Sequence, residues 1–88
     1  MTERTLLEHL EYTAMRLGVT VRYENLTLHV GRSQGGYCKL EGNPLIIVDR
    51  RESPRKKISV IAKALGHLDT DHMFIPPAIR RVIDSHKS

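Results

Sequence analysis

The sequence predicts an α+β domain: an N-terminal helix, a small and mainly antiparallel sheet of three or four strands, then two helices. Three observations predict it. An apolar stripe at helical spacing opens the chain, period-two alternation and one continuous apolar run fill its middle, and a second helical stripe follows a Ser-Pro start. Tight turns between successive strands favour antiparallel pairing, with the helices on one face. No repeat, low-complexity segment or linker divides the 88 residues, so residues 1–88 read as a single domain.

The elements follow in order. Over residues 3–17, Leu6, Leu7, Leu10, Ala14 and Leu17 share one helical face. Thr2 or Thr5 can cap its start, Thr5-Leu6-Leu7-Glu8 has the capping-box form, and Gly18 suits a left-handed C-terminal cap. Residues 19–25 alternate Val19, Val21 and Tyr23 with Thr20, Arg22 and Glu24, as a strand with one buried face does. Leu26, Leu28 and Val30 allow a further short strand ending at Gly31. Gly35-Gly36 breaks the chain, residues 37–41 read as a strand, and Gly42-Asn43-Pro44 as a turn. Leu45-Ile46-Ile47-Val48, within a strand over residues 45–49, suits the most buried position of a sheet. Ser53 as N-cap and Pro54 at the first helical position start a helix over residues 54–67, with Ile58, Ile61, Ala62, Leu65 and Leu68 on its apolar side. Asp69-Thr70-Asp71 connects it to a short helix, residues 77–85, that Pro76-Pro77 opens.

Composition narrows the function classes. Hydrophobic residues make up 40% of the chain and aromatic ones only 5%, which gives one modest aliphatic core and little material for a deep internal pocket. The lone Cys38 cannot form an internal disulfide and reads as a small, half-buried strand residue in a reducing compartment. The first residues lack the apolar stretch of a secretory signal, and nothing is long enough to span a membrane. A cytoplasmic location is expected, with no membrane partner. The net charge of +4 favours anionic partners in general.

One family comes into view at residues 44–67. The run Pro44-Leu45-Ile46-Ile47-Val48-Asp49, a polar turn, and then Ile58 through Ala62-Lys63-Ala64-Leu65-Gly66-His67 resembles the heart of ImmA/IrrE-type zinc peptidases. There an edge of the sheet leads into a helix bearing His-Glu-Leu-Gly-His. Gly35-Gly36-Tyr37-Cys38-Lys39-Leu40 with Gly42 resembles the strands before that helix, and Met73-Phe74-Ile75-Pro76 its later apolar segment. The resemblance covers about half the chain and implies a reduced zincin-like core in a protein of bacterial type. It departs where the chemistry lies. Zinc hydrolysis needs two imidazoles one turn apart, a carboxylate between them and a third ligand. Lys63 stands in place of the first histidine and Ala64 in place of the glutamate, leaving only His67. An ammonium repels the ion and a methyl group takes no proton from water. The sequence therefore points away from catalysis and calls for no cofactor. The alternative to common descent is that Gly66 loosens a helix end and His67 interacts with its dipole.

Three other groupings bear on function. His67, Asp71 and His72 lie within six residues and could contribute to a metal site, or simply form a polar helix exit. Arg50, Arg51, Arg55, Lys56 and Lys57 surround the N-terminus of the second helix, where they could hold an anion or nucleic acid, or form a solvated loop that Asp49 and Glu52 partly neutralise. Arg80-Arg81 adds charge, but stacking aromatics are missing from both basic segments. Third, a sheet edge between Gly31 and Leu40, with Tyr37 and Lys39, could pair with a strand of another protein or of a second copy, giving a homodimer. The leading expectation is a non-catalytic binding protein that uses this edge. A nucleic-acid-associated protein using residues 50–57 and a zinc hydrolase with an atypical ligand set are the alternatives.

Overall fold

The helix ends fold as their capping residues dictate. A computed structural model describes residues 1–26 and 35–87, with the order α1 (Glu3–Arg16), β1 (Thr20–Glu24), β2 (Gly35–Leu40), β3 (Asn43–Asp49), α2 (Pro54–Gly66) and α3 (Pro77–Ser85). The expected further strand around Leu28 and Val30, and the part of the edge from Gly31 to Gln34, lie outside the described residues. Thr2 caps α1 by accepting the Thr5 N–H at 3.1 Å. At the other end Gly18, with φ of 77°, lets the Val19 N–H reach the Ala14 carbonyl (2.9 Å) and its own N–H reach that of Met15 (3.0 Å). These are the two hydrogen bonds of a Schellman motif. Ser53 caps α2 through the Lys56 N–H at 3.2 Å, with Pro54 at its first position.

The sheet has three strands in the order β1-β3-β2. β3 holds the centre because Leu45 to Val48 are apolar on both faces, so it gains most from a neighbour on each side. The β2–β3 pairing is antiparallel, whereas β1–β3 is parallel. The sheet is thus mixed, which corrects the expectation of a mainly antiparallel one. Successive strands do reverse direction, as expected; β3 then inserts between β1 and β2, and its direction matches that of β1. Glu41 (φ 53°) and Gly42 (φ 82°) form the two-residue turn of the β2–β3 hairpin, one residue before the expected position.

The three helices share a core with one face of the sheet. Ile46 and Val48 point into it, meeting Leu10 and Ala14 of α1, Ile61 and Leu65 of α2, and Ile79 and Ile83 of α3. All eight are essentially inaccessible to solvent. Burying each Ile or Leu contributes about 1.5–3 kcal/mol, so this cluster is the main source of stability. Arg16 donates to the Phe74 carbonyl (2.9 Å) and Arg80 to that of Thr70 (3.0 Å), which pins the α2–α3 connector to α1 and α3. No helix of the described residues is long and apolar enough to cross a membrane.

Candidate functional site

Among the described residues, β2 lies at the border of the sheet and pairs with β3. A two-residue turn makes Leu40 and Asn43 the first hydrogen-bonded pair of the ladder, and pair types alternate from there. Tyr37 (opposite Ile46) and Lys39 (opposite Pro44) therefore occupy non-hydrogen-bonded positions. Their backbone N–H and C=O groups point away from β3, toward the outer side of β2. Pro44 costs the ladder nothing for the same reason, since its missing N–H would face away from β2, beyond the end of β1. Tyr37 is 38% exposed and shares the helix side of the sheet with Ile46.

Beside this edge lies a groove of about 580 Å³. Gly35, Gly36 and Tyr37 form one wall and α2 the other. The α2 wall presents Lys56, Ser59, Lys63 and His67 with the smaller surfaces of Val60 and Ala64. These residues fall at spacings of three, four and seven, the outward stripe of the helix whose inward stripe is Ile58, Ile61 and Leu65. Lys63, Ala64 and His67 thus line a single groove beside β2. Gly35 shapes the other wall. It has φ of 98°, and a Cβ there would fall 2.2 Å from the Ile47 carbonyl oxygen, so only glycine fits. Gly66 is the last residue of α2 and lies against the end of α3, where a Cβ would come within 3.0 Å of Lys87 Cγ.

The five cations of the basic segment differ in their surroundings. Arg51 is paired with Asp49, whose carboxylate also accepts the Arg51 N–H at 3.0 Å. Lys57 lies over the Tyr23 ring, 5.5 Å from its centroid. Lys56 faces the groove, while Arg50 and Arg55 are exposed. Arg80 is engaged with Thr70. Of the metal candidates, His67 faces the groove, His72 lies 4.0 Å from Asp69, and the Asp71 N–H bonds the Asp69 carboxylate. Among the described residues no three His, Cys, Asp or Glu side chains converge as a metal site would require. Cys38 is half-buried on β2 opposite Leu45.

One polar cluster escaped sequence reasoning. The Tyr23 hydroxyl donates to Glu11 of α1, joining β1, α1 and, through Lys57, α2. Burial, and then the Glu11 carboxylate, push the Tyr23 phenol well above the usual tyrosine range. The alternation of β1 places Tyr23 inward, but nothing in the sequence pairs it with a residue twelve positions earlier. Comparison with known protein families, curated proteins and solved structures finds no match for this chain.

Proposed function

We propose that this is a non-catalytic binding protein that holds an extended segment of another protein in the groove between β2 and α2. The observation that carries the reading is the position of that groove. An edge strand with outward-facing backbone groups at Tyr37 and Lys39 runs beside a helix whose exposed stripe is polar. A peptide strand added there would gain main-chain hydrogen bonds from the edge and side-chain contacts from the helix.

The same groove speaks against hydrolysis on chemical grounds. A zincin-like origin would place the metal ligand and the base at Lys63 and Ala64, and neither side chain can do that work. Among the described residues that line the cleft, none is a carboxylate that could serve as the base.

The test is selection of peptides from a random library on the intact protein, with counter-selection on Tyr37→Pro. That substitution removes an outward N–H and leaves the ladder to β3 in place. Recovery of peptides that bind the parent and not the variant is expected. Peptides that bind both equally would refute the edge as the site. Purification without chelators tests the non-catalytic half: stoichiometric zinc that is lost in His67→Ala would overturn it.

A further inference from the structure

We infer that the segment held in this groove is acidic, with carboxylates on alternate residues, and that Lys56, Lys63 and His67 select it. The inference rests on the binding reading above and adds the chemistry of the partner. Lys56, Lys63 and His67 all face the groove, and no carboxylate is among the residues described as lining it. Among the described residues that line the groove, the permanently charged side chains are both lysines, Lys56 and Lys63.

The spacing suits a strand. Lys56 to His67 spans eleven residues of helix, about 16 Å along the axis. That length matches about five residues of extended chain, comparable with the six-residue β2, of which Gly35, Gly36 and Tyr37 line the groove. Lys63 and His67 are one turn apart, about 6 Å, close to the ~6.8 Å between side chains on one face of a strand. Carboxylates at alternate positions would therefore reach both the Lys63 ammonium and the His67 ring N–H, while Lys56 meets a third further along. Each such contact is partly solvated, so the cations act together to set preference, and salt weakens them. Charge also argues against a second copy as the occupant, since Lys39 on the edge would be brought to a groove already lined by cations.

Three fluorescent nine-residue peptides, in which Val alternates with Glu, Gln or Lys, provide the test by fluorescence anisotropy. The Glu peptide should bind about ten-fold more tightly than the Gln peptide, and the Lys peptide not at all. Lys56→Glu with Lys63→Glu should reverse the order. Both lysines are exposed or line the groove, so the variant should fold, and Lys56→Gln with Lys63→Gln repeats the test with a milder change. Equal binding of Glu and Gln peptides, both lost in Tyr37→Pro, would overturn the acidic preference and leave the groove reading intact. Binding of none would overturn both. If N-methylation of alternate backbone nitrogens leaves Glu-peptide binding unchanged and duplex DNA competes equally, the surface is a general polyanion site and the inference fails.

Discussion

Tyr23→Phe separates a hydrogen bond from everything else that Tyr23 does. The ring stays between β1 and the helices, and Lys57 can still lie over its face. What is lost is the hydroxyl that donates to the Glu11 carboxylate. Hydrogen bonds to charged groups contribute about 1.5–3 kcal/mol. Tyr23 is only half-buried and Glu11 borders an open groove along β1, so water can recover part of the loss. The expected destabilisation is therefore about 1–1.5 kcal/mol, or about 5–10 °C in Tm for a domain of this size. Urea unfolding followed by circular dichroism at neutral pH measures it, and a double-mutant cycle with Glu11→Gln isolates the pair. The pH dependence follows from the raised phenol. Folding favours the protonated hydroxyl, so its contribution is present below the unfolded-state value near 10 and is lost as pH rises above it. The stability difference between parent and variant should shrink above about pH 10. The tyrosinate absorbance missing from the variant should appear only above the ordinary range or with unfolding. A variant as stable as the parent, or a missing absorbance step at the ordinary pH, would refute this account.

Two glycines should respond in opposite ways to the same substitution. Gly35→Ala combines strain at positive φ with a collision against the Ile47 carbonyl, and should cost at least about 2 kcal/mol by urea unfolding while weakening peptide capture at the β2 edge. Gly66→Ala has helical backbone, and its Cβ would press only on Lys87 Cγ (3.0 Å) while meeting the Ile83 carbonyl oxygen at ordinary contact distance (3.5 Å), so with Lys87 giving way it should stabilise by about 0.5 kcal/mol in the same assay. A large loss there would mean that α3 packs against α2 more rigidly than the side chain of Lys87 suggests.

Much of the candidate site was legible before the structure, in pieces. The apolar stripe of α2 identified its core side, and the complementary stripe of Lys56, Ser59, Lys63 and His67 follows from the same period. Tyr37 and Lys39 fall on one side of a strand for the equivalent reason. That these two stripes face one groove was not legible, because it depends on where α2 lies across the sheet. The basic segment shows the converse. Of five cations close in sequence, two take partners whose geometry only the folded chain supplies, Asp49 for Arg51 and the Tyr23 ring for Lys57.

The sequence alone determined the local elements of this protein: both Ser and Thr caps, the Schellman turn at Gly18, and the apolar run that becomes the central strand. Each depends on residues within a turn or two of one another. Tertiary structure decided the parallel β1–β3 pairing, the Tyr23–Glu11 contact and the groove beside β2. These join residues far apart in the chain, and which distant surfaces meet is set by burying the whole apolar set at once, not by any segment's own preference.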